Sequence, residues 1–249
     1  MSEPVLALGG VWKGFDRGGV TCSVLEDVSL TVGAREVVAV VGDRDEGKST
    51  LVRIAAGLVR PDRGSVRVGG LELAGLKDGE HSRVLRMQVG MAARAGPKTE
   101  ELMGEYVALR LTSGLGLSRR ERRLMVAEVL ERLDVADCAK LRWADLSKWQ
   151  RVGVELAQAI VTRPSLLLVD DILDGLGLGK TDAAMELVRD LAQEVGCGVL
   201  MVASDEIAPL RCDVVWRFAR KKLRLMAADD TNDNVTPIDR PERADEASA

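Results

Sequence analysis

The chain alternates between unbroken apolar runs of strand length and longer stretches with helical spacing. Val37-Val38-Ala39-Val40-Val41, Leu166-Leu167-Leu168-Val169 and Gly198-Val199-Leu200-Met201-Val202-Ala203 are bounded by turn or charged residues and show no polar alternation. Strands covered on both faces, as in a parallel sheet, read this way. Between the first two lies a stretch, about residues 96–163, that reads as helix. Within it, the segment from Ser118 to Asp134 offers Ser118 as an N-cap and predicts Leu124, Val126, Val129, Leu130 and Leu133 on one side. The first seventy or so residues differ: short alternating segments around Val5–Leu8, Val24–Val32 and Ser65–Val68, separated by glycine pairs, predict an antiparallel β layer. From Ala227 onward the sequence is acidic, interrupted by proline and poor in apolar residues, which predicts a disordered tail. The expected architecture is α/β: a mostly parallel core sheet, an antiparallel β layer, and a helical subdomain inserted at about residues 96–149. One domain would cover residues 1–226 and the tail residues 227–249.

Composition narrows the chemistry. With 249 residues, 46% of them hydrophobic, the chain can bury a sizeable core. Its net charge of -4 gives no global basic field, so nucleic acid is not an expected partner. The widely spaced Cys22, Cys138, Cys197 and Cys212 form no Cys-x-x-Cys pair and read as free thiols in a reducing compartment. No secretory leader pattern and no membrane-spanning apolar run is evident, so membrane contact is expected only through a partner. A single histidine, His81, in a charged segment read as a solvated loop, leaves little for a Ser/His/Asp relay or a multi-His metal site.

Directly after the Val37–Val41 run comes Gly42-Asp43-Arg44-Asp45-Glu46-Gly47-Lys48-Ser49-Thr50, followed by a helical pattern. This is Gly-x-x-x-x-Gly-Lys-Ser in the strand, loop and helix context that a phosphate loop requires. Glycines let the backbone wrap a phosphate, and the helix N-terminus supplies N–H donors and partial positive charge. Lys48 would reach the terminal phosphates and Ser49 would ligate Mg²⁺. Asp43, Asp45 and Glu46 oppose a polyanion, so they are expected to point outward at the loop's back, with affinity somewhat reduced. A second element, Leu166-Leu167-Leu168-Val169-Asp170-Asp171, is a buried strand ending in two carboxylates. Such a pair can hold Mg²⁺ through the first, Asp170, and orient an attacking water with the next, Asp171.

With Leu146-Ser147-Lys148-Trp149-Gln150 placed before the second strand, residues 3 to about 225 resemble the nucleotide-binding subunits of ATP-binding-cassette (ABC) transporters, a P-loop NTPase family. The resemblance implies an ATP- and Mg²⁺-binding subunit that dimerises head-to-tail with a second ABC ATPase subunit beneath a membrane permease. Such a subunit would be cytoplasmic and peripheral at the inner face of the membrane. It implies that Phe15 stacks on adenine, with Trp12 less suited, and that Ser147 contacts the ATP held by the opposite subunit. The short chain resembles ATPases of lipoprotein-release and macrolide-type exporters.

The sequence also departs from the family pattern. The signature Leu-Ser-Gly-Gly-Gln has Lys148 and Trp149 in place of its glycines, with Trp149 expected to turn its bulk toward the partner's nucleotide and Lys148 a possible substitute charge. Ser147-x-x-Gln150 is equally a capping box that would start a helix without touching ATP, and both readings stand. Asp171 occupies the place of the catalytic Glu, withdrawing the carboxylate by roughly one bond length, and a misplacement of ~1 Å can cost on the order of a hundredfold in rate. Ser204 occupies the place of the switch histidine, Arg94 falls near the glutamine that links nucleotide to permease, and Gly177 aligns with a dimer-contact aspartate, with Asp174 close by. These departures imply weak hydrolysis. The alternative is a non-hydrolysing, ATP-gated regulatory subunit beside a consensus ATPase. A non-transport ABC protein of repair or translation fits less well, since those usually carry two cassettes or a long insertion.

Overall fold

The computed structural model describes residues 3–94, 96–97, 100–112, 115–203 and 211–226. Ser204 and the 227–249 tail lie outside the described residues. Two sheets carry the fold. Strands β1 (Leu6–Arg17), β2 (Val20–Val32), β4 (Arg63–Val68) and β5 (Leu71–Glu72) form an antiparallel sheet in the order β2-β1-β4-β5. The second sheet contains β3 (Val37–Val41), β6 (Val89–Ala93), β7 (Leu166–Asp170), β8 (Gly198–Ala203), β9 (Val214–Ala219) and β10 (Lys222–Leu225). Its order is β10-β9-β3-β8-β7-β6, parallel throughout except for the β9–β10 hairpin.

The unbroken apolar runs are explained by the two faces of this second sheet. Because side chains alternate along a strand, Val38, Val40, Leu166, Leu168, Leu200 and Val202 point into a core shared with the antiparallel layer, where Leu6, Leu8, Leu25 and Leu30 meet them. Val37, Ala39, Leu167, Val169, Val199 and Met201 face a second core beneath the helices. Helix α1 (Lys48–Ala55) follows β3 and inserts Leu51 and Ile54 into the first core. Helix α2 (Asp78–Gln88) precedes β6.

Between β6 and β7 run α3 (Met103–Ala108), α4 (Arg119–Arg132) and α5 (Lys148–Ile160), and α6 (Leu178–Val195) follows β7. Helix α4 starts at a reciprocal cap: Ser118 Oγ accepts from the Glu121 N–H at 3.2 Å, and Glu121 Oε2 accepts from the Ser118 N–H at 2.7 Å. Val126, Val129, Leu130 and Leu133 are buried as the helical spacing predicts, but Leu124 is exposed. At 100° per residue Leu124 falls about 160° from Val126, on the opposite side of the helix. His81 is likewise not in a loop, for its backbone belongs to α2.

Strand β6 and the β9–β10 hairpin escape the sequence pattern. Val89-Gly90-Met91-Ala92-Ala93 is short and mixes Val89 and Met91 with three small residues, and its place is fixed from outside. A Cβ on Gly90 would meet the Ala159 carbonyl oxygen at 2.2 Å, so α5 lies directly on this strand. Among the described residues no helix is long and apolar enough to cross a membrane.

Candidate nucleotide site

The carboxyl ends of β3 and β7 and the N-terminus of α1 converge on a cavity of about 840 Å³. Parallel α/β sheets place their ligand sites at such strand ends. Phe15 and Val24 form one wall, supplied by the antiparallel layer, and Phe15 is 40% exposed and open to a planar ligand. Lys13 Nζ sits 5.4 Å from the Phe15 ring centroid. Trp12 is also exposed but does not line the cavity.

The loop forms the floor. Gly47 adopts φ 115°, and a Cβ there would meet Val24 Cγ1 at 2.6 Å, so glycine alone lets the chain pass under the β layer into α1. No side chain caps this helix. Its first N–H groups therefore remain available to an anion. Lys48 is buried and donates to the carbonyls of Gly42 at 2.7 Å and Asp43 at 2.5 Å. Burial lowers its pKa, opposed by the charges of Asp171, Glu46, Asp43 and Asp170. Thr50 and Arg44 also line the cavity.

The loop carboxylates divide. Glu46 turns back, its Oε2 accepting from the Asp43 N–H at 3.1 Å, and Asp43 is exposed away from the cavity lining. Asp45, expected to point outward, instead lines the cavity. Its backbone is left-handed there, at φ 64°, and Arg44, Lys48, Arg53 and Arg94 around the same cavity offset its charge.

Opposite the loop, Ser49 Oγ donates to Asp170 Oδ1 at 3.3 Å. Burial raises the Asp170 pKa, and the Ser49 hydrogen bond and the charges of Arg53 and Lys48 work against that rise. A hydroxyl and a carboxylate oxygen side by side at the mouth of a phosphate loop suit a hard cation such as Mg²⁺, which takes most of its remaining ligands from water and phosphate. Asp171 follows at φ 58°, its N–H donating to the Val202 carbonyl at 3.1 Å. A left-handed non-glycine residue costs of order 1–2 kcal/mol. Here that turn takes the carboxylate off the strand axis and into the cavity, where Asp171 is part of the lining.

A charge network closes one side. Arg94 Nη1 lies 3.6 Å from Asp171 Oδ2 and forms a close ion pair with Asp174, which also pairs with Arg44 at 3.2 Å. Arg94 and Arg44 are 57% and 72% exposed, so each pair contributes at most about 1 kcal/mol and can be exchanged. From the sequence, Arg94 falls near the family's nucleotide-to-permease glutamine, whereas Arg53 was not singled out for this cavity. The Arg94 signal was its position just past Ala93, and the Arg53 signal its place one turn beyond Ser49 on α1.

The family profile for ABC transporters matches residues 25–174, which contain both the loop and the paired carboxylates. The chain belongs to the ABC transporter family. It is an ATP-binding domain of that family, and its fold is that of the ABC cassettes. It is 37% identical over 205 residues to the methionine import ATP-binding protein MetN of Thermobifida fusca (strain YX), covering 82% of this chain and 63% of the relative. It is 33% identical over 222 residues to the lipoprotein-releasing system ATP-binding protein LolD of Cereibacter sphaeroides, covering 87% of this chain and 97% of the relative. The chain thus spans less than two thirds of the MetN relative and nearly all of the LolD relative. The ATP-binding cassette MJ0796, in a dimeric post-hydrolysis state bound to ADP and Pi, superposes with a TM-score of 0.81 at 25% identity, over 89% of this chain and 97% of that one.

Away from this cassette's cavity, Ser147 opens α5. Its Oγ accepts from the Gln150 N–H at 3.3 Å while Gln150 Oε1 accepts from the Ser147 N–H at 2.9 Å. Trp149 does not stand out toward a partner as expected. It is half-buried and packed against the core beneath the helices. An indole ring has far more to gain from apolar contact than from projecting into water. Lys148 Nζ donates within the chain, to the Gly175 carbonyl at 3.2 Å.

Proposed function

We propose that this chain is the ATP-binding subunit of an ABC transporter, binding MgATP and pairing head-to-tail with a second such subunit beneath a membrane permease, with slow hydrolysis. One observation carries the reading: a single cavity brings together the Gly47–Thr50 turn, Lys48, Asp170, Asp171 and Phe15. The likeness to MetN and LolD, both named as ATP-binding proteins of transport systems, supports the permease and the inner face of the membrane as its setting.

Within this reading the residues divide the work. Phe15 offers a face for the adenine. The loop N–H groups and α1 N-terminus take the inner phosphates, and Lys48 exchanges its carbonyl contacts for phosphate oxygens. Ser49 and Asp170 would hold Mg²⁺, which supplies neutralising charge to the phosphates. Asp171 accepts the proton of the attacking water, and Ser204 takes the place of the family's switch histidine in the sequence. Ser147, exposed at the start of α5, would meet the ATP of the opposite subunit, its hydroxyl still able to donate while its oxygen caps the helix.

Slow hydrolysis follows from Asp171, which is one methylene shorter than Glu and paired with Arg94. That ion pair also favours the second reading, an ATP-gated regulatory subunit without turnover. Equilibrium ATP binding by wild type and Lys48→Ala, together with ATPase rates of wild type and Asp171→Glu, tests both. The proposal expects ATP binding that Lys48→Ala weakens at least about tenfold, and a measurable wild-type rate that Asp171→Glu raises. ATP binding with no turnover in either protein would select the regulatory reading, and no Lys48-dependent binding at millimolar ATP would remove both.

A further inference from the structure

We propose that Asp62 is a positioning residue for the nucleobase: its carboxylate holds the Lys13–Gly14 step of β1, and through that step the ring of Phe15, where the base arrives. The inference rests on the ATP-site reading with Phe15 as the stacking residue. It adds a residue that does not itself line the cavity.

The sheet leaves a gap at this point. Strand β1 runs to Arg17, but its neighbour β4 begins only at Arg63, opposite Trp12. Pro61 and Asp62 stand where β4 would continue, and proline has no N–H to add to a ladder. Among the described residues, the β1 backbone from Lys13 to Phe15 therefore pairs with β2 on one side and with no strand on the other.

Asp62 fills the gap with main chain and side chain together. Its N–H donates to the Trp12 carbonyl at 2.9 Å, its Oδ2 accepts from the Gly14 N–H at 2.8 Å, and its Oδ1 accepts from Lys13 Nζ at 2.7 Å. The Lys13 bond first, and the Gly14 bond next, lower the Asp62 pKa, so the charged acceptor is present at neutral pH.

On the other side β1 and β2 slip past each other. Lys13 faces Leu25 and Gly14 faces Ser23, which leaves Val24 over as a bulge. Bulges re-aim side chains beside ligand sites, and here Val24 and Phe15 both line the cavity. Lys13 and Phe15, two apart on a strand, share a face. By fixing Lys13, Asp62 also sets its ammonium 5.4 Å from the ring centroid, which covers one face of the ring and leaves the other to a base. The ring is 40% exposed and belongs to neither packed core, so its direction follows the backbone that Asp62 holds.

The test is equilibrium binding of the β,γ-imido analogue of ATP with Mg²⁺ to wild type, Lys48→Ala, Phe15→Ala, Asp62→Ala, Asp62→Asn and the two double variants that join Phe15→Ala to each Asp62 change. Phe15→Ala is expected to weaken binding about tenfold, and Asp62→Ala about threefold to tenfold. Asp62→Asn keeps an oxygen for the Gly14 N–H and loses the charge beside Lys13, so its loss is expected to be smaller. In the Phe15→Ala background either Asp62 change is expected to cost less than about twofold, because the ring it positions is gone. If Asp62→Ala does not fold, Asp62→Asn carries the same cycle. Unchanged affinity in both Asp62 variants, or losses that simply multiply with that of Phe15→Ala, would overturn the proposal while leaving a Lys48-dependent site intact. Full affinity in Phe15→Ala would remove the stacking role and this proposal together, again without touching the phosphate site. Absence of Lys48-dependent binding would remove the ATP-site reading itself.

Discussion

Glu155 is a carboxyl group buried in the middle of α5, between the nucleotide site and the helical insert. Its Oε1 accepts from the Tyr106 hydroxyl at 3.1 Å and its Oε2 from the Ala93 N–H at 3.4 Å. Burial dominates, pushing its pKa up to about 7, with those two hydrogen bonds working against the rise. The same contact and burial push the Tyr106 phenol up as well. A folded-state carboxyl that stays protonated above its unfolded pKa stabilises the protein at low pH and loses that contribution as pH climbs through the folded value. A rise from 4.5 to about 7 corresponds to about 3 kcal/mol. Glu155→Gln, which stays neutral at every pH, is therefore expected to match wild type near pH 4, below the unfolded value of 4.5, and to exceed it by up to about 3 kcal/mol near pH 8. Urea unfolding at the two pH values measures this, and parallel pH dependence in both proteins would show that Glu155 does not titrate in this range.

At the scale of elements, α5 is held at its start and along its body by different means. Its start rests on the Ser147–Gln150 box and its body on close approach to its neighbours, where a Cβ on Gly153 would meet Val135 Cγ1 at 2.6 Å. Loss of a serine cap costs about 1 kcal/mol. Ser147→Ala is expected to lower unfolding stability by about that amount in the absence of nucleotide, and Ser118→Ala on α4, which has the same reciprocal bonds, by a similar amount. A Ser147→Ala chain as stable as wild type in a denaturant titration would argue that the box contributes nothing to the fold. Both caps were legible in the sequence, because a cap is written in four consecutive residues. Strand β6 was not legible, since five residues, three of them glycine or alanine, show no clear period and their strand state comes from α5 above and β7 beside them. The inward turn of Trp149 was equally hidden: the motif gives its position, and only the neighbouring core decides which way the ring lies.

For the whole molecule, the cavity is floored by the loop and walled by Phe15 and Asp171, while Ser147 does not line it and Phe15 stays exposed. A site built this way is completed by a second subunit under the proposed function. Sedimentation of the wild-type chain is accordingly expected to show a shift from monomer to dimer in MgATP and none in MgADP. A chain that stays monomeric in both would point to a different ATPase subunit as its partner. The sequence by itself determined the α/β class, the phosphate loop and the carboxylate pair, because each is encoded within a few residues by hydrophobic period and turn chemistry. Tertiary structure alone decided that Arg94 meets Asp171 and Asp174, that Asp45 lines the cavity, and that Lys148 bonds its own chain's Gly175. Those contacts depend on strand order and on the side a backbone turn presents, and no local pattern carries the position of a charge some eighty residues away.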